Sequence, residues 1–384
     1  MTILSPDQAA AIASGVYQLR LDTLETVGQF GKNPLGVKDL FGTDGASRFK
    51  GTSGAMFRPL SGFGYIAAGT GALAGDLLIA TRGTVTAFDW LTDFNVGVGR
   101  GPGGEWVHAG FNETWKSFAP EIKEFLRGRN PSRIHLVGHS LGGALAFLNA
   151  DYIAAERIAE IRLYTFGAPR AGTNAFASKL TDYIGADNIY RVSNPVDPVP
   201  MIPIFPFSHV PFNVEGLQIA RTSHIPVNPL GHMMGKAYIP GVAGKDWKNL
   251  RVAAPSDRDV QVWLEQASEG KGGMMGSAKL LDMIGRAIRY MLKMAGTVLN
   301  VGVGGIATGA VTLLDWVAYM LTKAAQLTIE LGTGLVTLVN MIFRFLGRKT
   351  IQGAQITTAF LRWVLDLLFS SLSAAARRAL SLIG

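Results

Sequence analysis

The chain has no cysteine, which removes disulfides, thiolate nucleophiles and cysteine-held metal sites from consideration. That absence suits a cytosolic protein, or an exported one that folds without disulfides. Charge is also sparse, since only 17% of the 384 residues are charged against 48% apolar. Acidic residues are scarcest after position 269, where 4 of them face 12 Lys and Arg. Before that point the two signs balance, so the net charge of +8 is carried entirely by the tail. The tail lacks dense Lys/Arg clusters interleaved with aromatic platforms, and nucleic acid is therefore not an expected partner. A basic, apolar, helical tail points instead to an anionic membrane surface. Residues 1–20 contain no basic stretch followed by an uninterrupted apolar run, so no classical signal peptide is expected.

What is present reads as an α/β chain. Ser5-Pro6-Asp7-Gln8 supplies an N-cap and a proline at the first helical position, predicting a helix to about Leu21. Residues 31–53, rich in Gly, Lys and Asp, read as loop. Apolar runs at 62–69, 76–81, 134–139, 161–166 and 188–193 read as buried strands, with helical stretches at 112–128 and after Ser140. This alternation predicts a mostly parallel sheet flanked by helices, whose chemistry gathers at the carboxyl ends of its strands. Residues 210–221 read as a hairpin turning at Glu215-Gly216, and residues 231–238 as a loop running into a short helix. The boundaries expected are a first domain over 1–268, a Gly-rich linker over 269–276 and a basic, apolar helical region over 277–384. Within the last, residues 294–314 carry no charge, and Leu361, Val364, Leu368, Leu372, Ala375, Ala379 and Ile383 fall near one helical face. Such periodicity suits a small helical bundle and a membrane-active segment equally.

The densest chemical signal is Gly138-His139-Ser140-Leu141-Gly142, which stops an apolar strand and starts an Ala/Leu-rich helix at once. Glycines on either side allow strand and helix to meet in a strained turn, with Ser140 at its apex. A serine hydroxyl needs a base to take its proton and an acid to hold that base. Of six histidines, His135 lies within the strand and His139 flanks the serine, so both read as structural, and His108 precedes the serine. His209, His224 and His232 remain. His232 is favoured, because Gly231 permits a loop turn and the helix that follows anchors the ring; His224 is second. Asp197 is the acid by position, with Asp182 and Asp187 as alternatives. Thr84, at the end of the 76–81 strand, either caps a helix or donates to an oxyanion. Phe88, Trp90, Leu91 and Phe94 make residues 85–97 a surface helix or a mobile lid. No metal site or cofactor is implied.

Five stretches resemble, in order, the signatures of the class 3 (fungal-type) lipases. They are Arg82-Gly83-Thr84, Val107-His108-Ala109-Gly110-Phe111, Leu136-Val137-Gly138-His139-Ser140-Leu141-Gly142-Gly143, Thr165-Phe166-Gly167-Ala168-Pro169-Arg170 and Asn194-Pro195-Val196-Asp197-Pro198-Val199-Pro200. The resemblance covers about residues 1–244. It implies an α/β-hydrolase cleaving lipid or phospholipid esters, with Ser140 as nucleophile, Asp197 as acid and a histidine near the domain's end as base. His232, with Tyr238 after it, matches that pattern best. It also implies that Thr84 and the Leu141 backbone N–H form the oxyanion hole and that residues 85–97 are the lid. The chain departs from the fungal pattern in lacking cysteine, in a short Asp-to-His separation and in its basic tail. The tail is similar in style to bacterial lipase-type toxins, so the chain is expected in the bacterial cytoplasm or exported by a specialised secretion system. A chaperone or inhibitory partner would cover any exposed apolar tail surface. The alternative is a membrane-inserting toxin that uses the hydrolase part as a carrier.

Overall fold

The computed structural model describes residues 3–20, 37–42, 46–52, 60–83, 97–203, 206–214, 216–225, 227–253, 256–269, 277–299, 313–351 and 356–383. Thr84 and the lid residues Phe88, Trp90, Leu91 and Phe94 lie outside them, as do the expected linker at 270–276 and residues 300–312 of the uncharged stretch.

The strands are β1 (Ser47–Thr52), β2 (Leu60–Ala68), β3 (Asp76–Thr81), β4 (Val98–Arg100), β5 (Trp106–His108), β6 (Arg133–His139), β7 (Glu160–Phe166), β8 (Gly172–Thr173), β9 (Ile189–Ser193), β10 (Phe207–Ser208), β11 (Gly216–Gln218) and β12 (Arg251–Val252). Eight of them form one sheet in the order β1-β2-β3-β6-β7-β9-β11-β12. From β3 to β11 the neighbours are parallel, and antiparallel pairs close both edges. The central strands are near-continuous apolar runs because helices cover both of their faces. All six residues of β3 are buried, for example.

Nine described helices have ten residues or more: α1 (Pro6–Gly15), α2 (Ala109–Leu126), α3 (Leu141–Ala155), α4 (Asn174–Ile184), α5 (Asp257–Ser268), α6 (Ser277–Leu299), α7 (Leu313–Ala325), α8 (Ile329–Phe345) and α9 (Thr358–Ser381). α1 starts as its sequence predicts: the Ser5 hydroxyl accepts from Gln8 N–H, and the Gln8 side chain accepts from Ser5 N–H. α2 turns Phe111, Trp115, Phe118, Ile122 and Leu126 inward at helical spacing. α3 is apolar nearly all round because it is almost wholly buried. It joins α2, α4 and the helices after residue 256 in one apolar cluster. A second cluster covers the opposite face of the sheet with α1, Tyr238 and Trp247. There Tyr164 O–H accepts from Leu4 N–H at 3.1 Å, and Trp247 Nε1 donates to Leu4 O at 2.8 Å, pinning the chain ahead of α1.

Two local readings are corrected. Residues 47–52, expected as loop, form edge strand β1, where Phe49 and Gly51 are the buried positions and apolar alternation is too thin to read. Among the described residues the expected hairpin at 210–221 does not form. β11 runs parallel to β9 and antiparallel to the distant β12. A turn dipeptide reports a change of direction, and the sheet edge chooses the partner.

Asp151, on α3, is buried and accepts from Gly103 N–H at 2.7 Å. Burial raises its pKa from 3.8 to about 6, against the Gly103 bond and Lys179, with Glu105 adding to the rise. A folded pKa above the unfolded one means the neutral carboxyl is the stabilising form. That stability is complete below pH 4 and is lost as pH rises through 6. Asp151→Asn should therefore raise unfolding stability at pH 7.5 by about 2 kcal/mol. Urea titrations at pH 4 and pH 7.5 check this, with the gap between variant and wild type closing at the lower pH.

Candidate active site

β3, β6 and β7 end side by side, pairing Thr81 with Gly138 and His139 with Phe166. At this edge β6 turns directly into α3. A β-carbon at Gly138 would collide with the Gly142 carbonyl, and one at Gly142 with the Thr81 carbonyl. Glycine at both positions is what lets strand, turn and helix approach. Ser140 sits between them with φ 59° and ψ −134°, the strained conformation a nucleophile elbow requires. Ser140 N–H donates to Phe166 O at 3.0 Å, fixing the turn to β7. Leu141 opens α3, so its N–H has no acceptor within the helix.

The loop after β9 supplies Asp197, and the 3-10 turn Pro229–His232 supplies His232. His232 Nε2 lies 2.8 Å from Ser140 Oγ, and His232 Nδ1 lies 2.8 Å from Asp197 Oδ2. The histidine is thus placed to accept a hydrogen bond from the serine hydroxyl at one nitrogen while donating to the carboxylate from the other. All three residues have 0% exposure. Asp197 has further donors: Val199 N–H reaches Oδ1 at 2.9 Å, and Tyr238 O–H reaches Oδ2 at 2.6 Å. Burial, then the carboxylate, push the Tyr238 pKa well above its ordinary value, so its hydroxyl stays protonated and donating. Asn194 N–H in turn donates to the Tyr238 hydroxyl at 3.2 Å, and the Asn194 amide donates to Gly231 O at 2.8 Å. One asparagine therefore ties the loop bearing Asp197 to the turn bearing His232.

The structure brings Ser140, Asp197, His232 and Leu141 together and leaves the alternatives elsewhere. His224 is exposed and its carbonyl accepts from Arg221. His209 lies among Arg191, Arg170, Arg289 and Arg286, and burial with those cations holds its pKa well below the ordinary value. His108 packs on Phe111 and Phe207, and burial lowers its pKa to about 3. His135 bonds Asp76 near the start of the strands, away from the serine. Asp187 pairs with Arg251, and Asp182 with Ser178. Sequence reasoning missed Tyr17 and Asn194, whose signals are isolated polar residues in otherwise local motifs. It placed His139 among structural residues, yet this ring lies 4.6 Å from that of His232. Among the described residues no group of three or more His, Cys, Asp and Glu could hold a metal ion.

Residues 78–207 match the family model for lipase (class 3). Secreted mono- and diacylglycerol lipase 1 from Fusarium solani is 36% identical over 145 residues, covering 35% of this chain and 42% of that protein. Phospholipase A1-II 4 from Oryza sativa subsp. japonica is 31% identical over 238 residues, covering 51% and 59% respectively. The chain spans about half the length of the curated relatives it matches. The crystal structure of lipase from Rhizopus microsporus var. chinensis aligns at 22% identity with a TM-score of 0.39, covering 56% of this chain and 72% of that one. The elbow, the strand order and the match over residues 78–207 make the α/β part of this chain similar to the class 3 lipases.

Proposed function

We propose that the protein hydrolyses carboxylic esters of lipids through Ser140, His232 and Asp197. The observation that carries this reading is the unbroken hydrogen-bonded chain from Ser140 Oγ through His232 to Asp197, set on a strained Gly-X-Ser-X-Gly turn. Ser140 Oγ attacks the acyl carbonyl as its proton passes to His232 Nε2. The oxyanion is received by Leu141 N–H and Thr84, where a single donor is worth on the order of 3 kcal/mol of barrier. Collapse of the intermediate expels the alcohol, which takes the proton back from His232. Water then attacks the acyl-serine by the same base and releases the fatty acid. Asp197 steadies the imidazolium and fixes its tautomer, held in turn by Tyr238 and Val199.

Phospholipid at an anionic membrane is the substrate setting this reading favours. The region after residue 277 holds seven of the chain's eight excess positive charges, and there Trp363 and Ile329 are 45% and 85% exposed beside exposed Arg344 and Lys349. Similarity to a protein named phospholipase A1-II supports the same class. The test is mass spectrometry of products from vesicles of mixed phospholipid and diacylglycerol, with and without anionic lipid. Free fatty acid with a lysophospholipid is expected, formed faster on anionic vesicles, with that advantage fading at high salt. No fatty acid release from any vesicle would overturn the hydrolase reading, and release indifferent to lipid charge would overturn the membrane setting.

A further inference from the structure

His139, the residue before the serine, and Tyr17, from the far N-terminal end of the chain, form a second hydrogen-bonded chain that ends on the base. Tyr17 lies in the 3-10 turn Val16–Arg20 that continues α1. Its hydroxyl is 2.8 Å from His139 Nδ1, while His139 Nε2 is 2.8 Å from the carbonyl oxygen of His232. The His139 ring has no exposure, and burial followed by the neighbouring His232 holds its pKa well below the ordinary value. It is therefore neutral and owns a single N–H. A carbonyl can only accept, so that N–H sits on Nε2, and the lone pair on Nδ1 must receive the Tyr17 O–H. The direction of the chain is thereby fixed: Tyr17 donates to His139, and His139 donates to the His232 carbonyl. Burial raises the Tyr17 pKa above its ordinary value, so the phenol keeps the proton it donates. The hydroxyl also lies 3.5 Å from the His139 carbonyl, a longer and weaker alternative.

This chain bears on the reaction because the His232 carbonyl belongs to the same residue as the reacting ring. The turn Pro229–His232 is short, and a ring that must meet Ser140 on one side and Asp197 on the other tolerates little rotation. A hydrogen bond from a fully buried neighbour holds its backbone, and the His139 ring face, tilted 31° to that of His232, limits its swing. Were Nδ1 to carry the proton instead, the lone pair of Nε2 would face the carbonyl lone pairs and the tether would become a repulsion. The same tyrosine closes the wall beside the serine. A β-carbon at Gly83 would stand 2.6 Å from the Tyr17 hydroxyl and 3.2 Å from Ser140 Cβ.

We propose that Tyr17 and His139 are positioning residues for the base: the His232 carbonyl selects the Nε2–H tautomer of His139, Tyr17 donates to the Nδ1 lone pair that this tautomer leaves buried, and the Nε2–H anchors the His232 backbone and so aims its ring at Ser140. The proposal rests on Ser140 being the nucleophile, and its test separates the two. A fluorophosphonate probe reads the base directly. Ser140 Oγ forms a bond to phosphorus, the P–F bond breaks, fluoride leaves and the serine proton goes to His232. On the full chain, Tyr17→Phe should slow labelling by about tenfold, the scale of a small misplacement of a reacting group, with the thermal midpoint unchanged. His139→Gln keeps an N–H near the Nε2 position without needing a tautomer, so it should label faster than His139→Leu. Adding Tyr17→Phe to His139→Gln should then cost nothing further. Nitrogen-15 NMR of the histidines should show His139 as the Nε2–H tautomer, with its Nδ1 resonance shifting to that of an unbonded ring nitrogen in Tyr17→Phe. If Ser140→Ala labels as fast as the wild type, the nucleophile assignment falls and the relay with it. If Ser140→Ala is silent while Tyr17→Phe labels at the wild-type rate, or the two substitutions add, the relay alone is overturned.

Discussion

His232→Ala is expected to lower ester hydrolysis by about 10,000-fold or more, as is Ser140→Ala, while His224→Ala leaves it at the wild-type rate. The contrast follows from placement. His232 has one ring nitrogen 2.8 Å from Ser140 Oγ and the other 2.8 Å from Asp197, whereas His224 is exposed on a loop. Serine and base act as one unit, so the double variant should be no slower than either single one; additive losses would mean that they serve different steps. The fold should survive, because Asp197 keeps donors from Tyr238 and Val199 after the imidazole is removed. Rates with a p-nitrophenyl ester, alongside circular-dichroism melting, make the measurement. Activity retained in His232→Ala but lost in His224→Ala would reverse the assignment of the base.

The elbow was legible in the sequence because its chemistry is local: the strand, the glycines, the serine and the helix are consecutive. Strands such as 76–81 were legible for a related reason, since burial on both faces leaves an uninterrupted apolar run. Asp197 was readable as the residue closing a strand. The choice of His232 needed Gly231 and the helix behind it, and the short spacing from the acid kept His224 in contention. What could not be read was everything contributed from far along the chain. Tyr17 lies 122 positions from the His139 ring it touches, and nothing around it marks the phenol as other than a helix-end aromatic. Edge strand β1 was hidden because one of its faces meets solvent and only two of its positions are buried. The histidine within Gly-His-Ser looked structural because its partner, a backbone carbonyl, has no sequence signature at all.

The tail shows the same limit from another side. Leu361, Val364, Leu368, Leu372 and Ala379 do share a buried face, while Ala375 and Ile383 sit at its border. Periodicity reports that a face is buried and says nothing of what buries it. In this structure α9 lies against the turn Pro229–His232 and against Val199–Met201, the segments that follow or carry the base and the acid. α9 is the one helix among the described residues long and apolar enough to cross a membrane, and its apolar face is committed to this packing. The basic region is thus packed against the turn that carries His232.

The tolerance of that arrangement is set most sharply by Gly167, and Gly167→Ala is expected to lower kcat/KM by about 100-fold. Gly167 follows β7 with φ +57°, a conformation that costs a residue with a β-carbon about 1 kcal/mol. That strain alone would lower stability and leave the chemistry intact. The collision is different, because an added β-carbon would stand 2.8 Å from Asp197 Oδ2, 2.9 Å from the Tyr238 hydroxyl and 3.1 Å from His232 Nδ1. Those three atoms are the acid end of the proposed triad, so whichever yields, the Asp197–His232 bond lengthens and the ring turns off the serine. Gly128→Ala supplies the control: its φ is +70° and nothing lies within 4 Å of the position a β-carbon would take. In urea titrations Gly128→Ala should lose the strain energy alone and Gly167→Ala that and more, and only Gly167→Ala should lose turnover. Equal activity in the two would mean that the acid end of the site has slack that these distances deny.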